Sequence, residues 1–228
     1  MRIPIHRRRR PGRLPVLLPT YLVCSIFRLR WRRRRAGKIV AAPIGEKMTF
    51  DPYVLGLFVS GTHSFSKHRY DSIIALKGLG IEGDAHCGVY VKHRYHAAKD
   101  PTRPNRRQVH LLQSEVLDEM NGRGFNVHPG DLGENICTRG IDLLTLPKGT
   151  LLRVGPEVIV EVTGLRNPCI HIEKFQKDLM AAFIDRTNGG VTYRAGIMGV
   201  ISEGGRIQTS ETIEVQLPEG SYEPLKVV

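Results

Sequence analysis

From Pro52 onward, short apolar runs alternate with Gly, Pro and polar turn signals. The pattern predicts β-strands over 54–60, 72–76, 134–138, 142–146, 150–154, 157–163, 191–194, 199–203 and 212–217. The clearest unit is a hairpin over 151–162, where two β-rich runs flank a Gly155-Pro156-Glu157 turn and Arg153, Glu157 and Glu161 interrupt the apolar residues. Two stretches carry a helical period instead. Residues 114–120 put Val116, Leu117 and Met120 on one face, with Asn121-Gly122 as a stop. Residues 172–184 space Ile172, Phe175, Leu179 and Phe183 by three and four, which predicts one helix with a buried stripe. Many short strands and a few helices make the chain mainly β, a barrel or a sandwich.

Charge is distributed unevenly. The net charge of +12 comes from the first 47 residues, which hold twelve Arg and two Lys against the single acid Glu46. Residues 48–228 are close to neutral, so no nucleic-acid partner is expected for the folded domain, whose surface would have to release counterions from phosphates. The arm has three open readings: an organelle transit peptide, a nuclear or RNA-binding signal, or a disordered or untranslated extension before an alternative start at Met48. The last is preferred, giving one domain over 48–228. A non-catalytic adaptor working through the arm is the third functional class left open. No apolar run after Met48 reaches the length of a membrane span. Cys24, Cys87, Cys137 and Cys169 are scattered without a CxxC pair, which fits a reducing, cytoplasmic setting.

The stretch from Thr163 to His171 carries the most chemical information. A strand ends, Pro168 fits a helix entry, and Cys169 follows at the amino end of the predicted helix. Unpaired amides there and Arg166 three residues upstream both favour thiolate over thiol, the form that ligates a soft metal or carries sulfur. A small buried apolar cysteine is the alternative. Gly78-Leu79-Gly80-Ile81-Glu82-Gly83 has the GxGxxG spelling, but no helix is predicted to open on it, so a glycine-permitted turn is preferred to a dinucleotide site. His86, Cys87, His93 and His96 are a weak zinc candidate, since their spacing matches no common finger. Arg194, at a strand end, could hold an anion.

Three motifs in order, Gly80-Ile81-Glu82-Gly83-Asp84-Ala85-His86, Pro129-Gly130-Asp131-Leu132-Gly133-Glu134-Asn135-Ile136 and Arg166-Asn167-Pro168-Cys169, resemble the MOSC family. That domain forms the C-terminus of molybdenum-cofactor sulfurases and also stands alone as short proteins. The likeness covers about 54–215, including Gln108 to Glu115 and Asp142-Leu143-Leu144; the arm and the basic loop over 93–107 fall outside its pattern. It implies a β-barrel, with Cys169 either ligating molybdenum in a pterin cofactor or carrying a persulfide for metal–sulfur assembly. It also implies that Asp84, His86, Asn135 and Arg166 contact cofactor or substrate. The expected activity is reduction of N-hydroxylated compounds to amines by an oxidoreductase. The implied partners are a small-molecule substrate and a separate electron-donating reductase, or, for sulfur transfer, a cysteine desulfurase. Residues 48–228 leave no room for a desulfurase domain, so no pyridoxal phosphate site is expected in this chain.

Overall fold

The computed structural model describes residues 51–92, 94–186 and 190–228, and the basic arm lies outside the described residues, as does His93 of the zinc candidate. In chain order the elements are β1 (Tyr53–Val59), β2 (His68–Tyr70), β3 (Ser72–Leu76), β4 (Gly80–Ile81), α1 (Arg94–Lys99), β5 (Val109–Gln113), α2 (Ser114–Gly122), β6 (Ile136–Arg139), a 3-10 turn (Leu143–Thr145), β7 (Leu151–Val154), β8 (Val158–Leu165), α3 (Ile170–Phe175), α4 (Leu179–Ala182), β9 (Ile184–Asp185), β10 (Thr192–Tyr193), β11 (Ile197–Glu203), β12 (Gly205–Gln208) and β13 (Ile213–Gln216).

Eight strands form the main sheet in the order β13-β7-β8-β11-β5-β6-β1-β2, with β12-β3-β4 and β9-β10 as smaller sheets. Neighbours are antiparallel except β5 and β6, which run parallel. The ladder does not close strand to strand as a regular barrel would. Instead β1 reaches the approach to β13 through a single bridge between Tyr53 and Thr212, flanked by Val54 N–H to Glu211 O at 2.9 Å and Ile213 N–H to Pro52 O at 2.7 Å. The mainly β class stands.

The burial pattern explains which strands were readable. In β8, Val158, Val160 and Val162 are buried while Ile159 is half-buried and Glu161 exposed, the period of two expected of a strand with one wet face. β5 is buried at every position because it lies between two cores. Val109 and Leu111 pack with Leu57, Val160 and Ile201 on one side of the sheet, and Leu112 packs with Leu117, Met120, Ile172 and Phe183 under the helices on the other. A strand with both faces covered shows no alternation.

Two predicted elements differ. Residues 142–146 turn as a 3-10 helix, because the Asp142 carboxylate accepts the Leu144 N–H at 3.2 Å and the Gln113 side chain accepts the Leu143 N–H at 2.7 Å. The single helix over 172–184 is two short ones. Gln176 is extended and Asp178 takes a left-handed φ of 65°, which a helix cannot carry. The break keeps Leu179 and Phe183 buried but turns Phe175 out to 38% exposure. Phe183→Ala should therefore cost about 3–5 kcal/mol in urea unfolding, and Phe175→Ala less than about 1 kcal/mol. Equal losses would indicate one continuous buried stripe.

Candidate functional site

A cavity of about 430 Å³ opens where the β1–β2 loop, the turn after β4, the start of β5, the approach to β6 and the β8–α3 connection meet. Two glycines let these segments close in. Gly80 has φ 119°, and a Cβ there would sit 2.7 Å from the Gln108 carbonyl, so β4 can lie on the entry to β5 only without a side chain. Gly133, at φ 81°, likewise leaves no room for a Cβ against the Phe65 carbonyl, 2.5 Å away. The GxGxxG spelling thus serves a turn and a two-residue strand, with no helix opening on it.

Cys169 lines the cavity, half-buried, at the N-cap of α3. Its side chain makes no capping bond, and the Ile172 N–H is taken by the Cys169 carbonyl at 2.9 Å. The helix is only six residues long. Both Arg166 and Arg107 interact electrostatically with Cys169 and line the same cavity.

Arg166 is buried, with its guanidinium 5.9 Å from the centre of the Phe65 ring. Burial lowers its pKa, against the pull of Cys169 and Glu134. Its Nη1 is buried without a hydrogen-bond partner among the described residues. Arg107 is pushed down to about 10, by burial first and by the neighbouring Arg166 second, with Cys169 opposing. Lys67 is the third cation of the lining, and the lining contains no Asp or Glu.

The acid that balances Lys67 lies beneath the cavity. Asp84 accepts the Lys67 ammonium at 2.6 Å, the Asn135 amide at 2.9 Å, and both the ring Nδ1–H and backbone N–H of His86 at 3.1 and 3.0 Å. Burial disfavours its charge, but the His86 hydrogen bond and then the Lys67 ammonium outweigh that and hold the carboxyl well below the usual range. A second acid, Glu134, is fully buried, with one oxygen on the Gly130 N–H at 2.5 Å. Burial pushes its pKa up.

Of the residues proposed from sequence, the structure brings Cys169, Arg166, His86 and Asn135 to the cavity, with Asp84 behind them. Asn135 acts as scaffold: its amide donates to the Phe58 carbonyl and Asp84, and its oxygen accepts the His110 N–H at 3.2 Å. Arg194, the candidate anion holder and cofactor contact, does not line this cavity and forms a two-point pair with Glu119 of α2 at 2.7 and 2.5 Å instead. Sequence reading does not single out Lys67, Arg107 or His110. Lys67 lies outside the recognised motifs, Arg107 is hidden among the bases of 93–107, and His110 lies in the 108–115 stretch of likeness, which assigns it no role.

The fold and the cation-lined cavity define a small mainly β protein with a ligand-sized site beside a cysteine. The chain belongs to the MOSC domain family, whose model matches residues 83–214. Its structure is similar to the YuaD protein of Bacillus subtilis, at 27% identity and a TM-score of 0.60 over 75% of this chain and 98% of that one. It also shares its fold with YiiM from Geobacillus stearothermophilus, at 15% identity and a TM-score of 0.52 over 72% of this chain and 75% of that one. No curated protein matches it by sequence. Asp84, His86, Asn135, Arg166 and Cys169 fall inside the family match, whereas Lys67 and Phe65 precede it. Among the described residues no helix is long and apolar enough to cross a membrane.

His110 gives this site a pH signature. It is buried, and burial, then Arg166, hold its pKa well below the ordinary value. A group depressed in the folded state favours folding above its unfolded pKa, about 6.5 for histidine, and that contribution is lost as pH falls below it because only the unfolded chain takes the proton. The melting temperature should therefore drop between about pH 7 and pH 5, and His110→Gln should flatten that drop whatever its effect at neutral pH. Parallel curves for the two proteins would contradict this.

Proposed function

We propose that the chain is an oxidoreductase that holds a molybdenum–pterin cofactor in the cavity, takes the Cys169 thiolate as its protein-derived metal ligand, and reduces N-hydroxylated compounds to amines. The observation that carries this reading is the buried, unpartnered Nη1 of Arg166, on a cavity lined by two further cations and no acid. A buried donor left unmade costs about 1–3 kcal/mol, more when charged, so the site is built for an acceptor from outside the chain. The anionic groups of a pterin cofactor fit that donor set, a thiolate suits a soft metal, and the volume suits a small organic ligand.

Arg166, Arg107 and Lys67 would hold the cofactor's anionic groups, and Cys169 its metal. When bound, the cofactor supplies the two-electron redox chemistry. Phe65, Leu132, Ile170 and Met198 give the cavity apolar wall, which limits water around the charged groups and strengthens their attractions. Asn135 and Asp84 keep Lys67 and His86 in place from below. The chain has only scattered cysteines and no nicotinamide or flavin fingerprint, so electrons come from a separate reductase.

Expression in a host that makes the cofactor, followed by metal analysis, tests this. Wild type should retain molybdenum after desalting, and Cys169→Ser should lose on the order of tenfold or more of it at unchanged circular dichroism, together with reduction of an N-hydroxylated purine. A metal-free wild type whose Cys169 keeps an added sulfur after incubation with a desulfurase would favour persulfide carriage instead.

A further inference from the structure

We infer that His86 is the proton donor to the oxygen that leaves when an N–O bond is cut in this cavity, and that Asp84 is the positioning residue holding it to that task. The inference rests on the function proposed above and adds to it a residue and a role.

Geometry selects His86 from the four histidines that line the cavity. The Nε2 of His110 is 2.8 Å from the Ala195 carbonyl, which can only accept, so that proton is committed to the backbone. The Nε2 of His63 is 3.1 Å from the Lys92 carbonyl and is committed in the same way. His171 is exposed and rests against Phe65 at a ring separation of 6.0 Å, with no carboxylate orienting it. His86 differs from all three. Its Nδ1 meets Asp84, a carboxylate with no exposed side-chain surface that already takes Lys67 and Asn135. An ionised carboxylate only accepts, so the Nδ1 carries the proton and the ring presents Nε2 to the cavity. The same Asp84 oxygen also binds the His86 backbone N–H at 3.0 Å, so the backbone and the ring of His86 are tied to one acid. A fixed tautomer beside a buried carboxylate is the arrangement in which an imidazole exchanges protons through its far nitrogen.

The proposed reaction needs such a group. An N-hydroxylated compound takes up two electrons and two protons; its N–O bond breaks, the nitrogen becomes an amine and the oxygen leaves as water. The electrons come from the separate reductase. Hydroxide is a poor leaving group, so protonating the oxygen as the bond breaks is where a general acid gains most. The imidazolium of His86 gives one proton through Nε2 to that oxygen, solvent supplies the other, and His86 is reprotonated from solvent through the open mouth.

The test uses the cofactor-loaded full chain. His86→Asn can still reach Asp84 but cannot deliver the proton. It should keep molybdenum within about twofold of wild type and KM within about threefold, while kcat falls by about 10²–10⁴. In His86→Ala, free imidazole should restore part of kcat. Independently of activity, ¹⁵N spectra of the ring at neutral pH should show the proton on Nδ1 in wild type. Unchanged kcat with molybdenum retained, or an Nδ1 without a proton in that spectrum, overturns the role of His86 and leaves the cofactor reading standing. A wild type without molybdenum, or without turnover, overturns the cofactor reading and this inference with it.

Discussion

The floor of the site is organised by the need to neutralise a carboxylate that water cannot reach. Asp84 has no exposed side-chain surface, and its two oxygens take an ammonium, an amide, an imidazole and a backbone N–H. Removing one partner of such a buried pair leaves a charge that costs several kcal/mol, so Lys67, His86 and Asn135 are bound to one another through this acid. The three partners come from separate segments: the β1–β2 loop, the turn after β4 and the approach to β6. Asn135 extends the tie to Phe58 in β1 and His110 in β5. These hydrogen bonds thus fix the relative positions of five parts of the chain.

Asp84 balances Lys67, while the Arg166 guanidinium above it keeps one buried donor without a partner among the described residues. Glu134 interacts with Arg166, but burial raises its pKa and works against its charge. Arg107 donates to the oxygen of Val228, the last residue of the sequence. The low dielectric around these groups strengthens any attraction to an anion that enters, because there is less water to compete. One arrangement therefore explains why the site suits an anionic ligand and why its cysteine sits among positive charges.

Much of the fold was legible because its local signals agree with its tertiary contacts. The 151–162 hairpin alternates by two and ends in a Gly-Pro turn, and α2 keeps its apolar residues on one face with a glycine at its end. β5 escaped as a strand because cover on both faces erases alternation. The helix over 172–184 failed at Asp178, whose left-handed backbone has no sequence signature at a non-glycine position. The site divided along similar lines. Residues inside short motifs, Asp84, His86, Asn135, Arg166 and Cys169, could be carried over from a resemblance. Lys67 could not, because its meaning depends on an acid seventeen residues away in a different turn. Arg194 misled for the same reason, since its partner Glu119 lies 75 residues distant.

Arg166, with a buried donor that no described residue matches, makes this cavity a receptor for anions. Crystals of the full chain grown with tungstate would test that claim most directly, because the anomalous signal of the metal locates a bound oxyanion without reference to activity. The account predicts a peak inside the cavity within hydrogen-bonding distance of the Arg166 guanidinium, and its disappearance in Arg166→Gln. Oxyanions found only on the outer surface, or a cavity peak that persists in the variant, would contradict it.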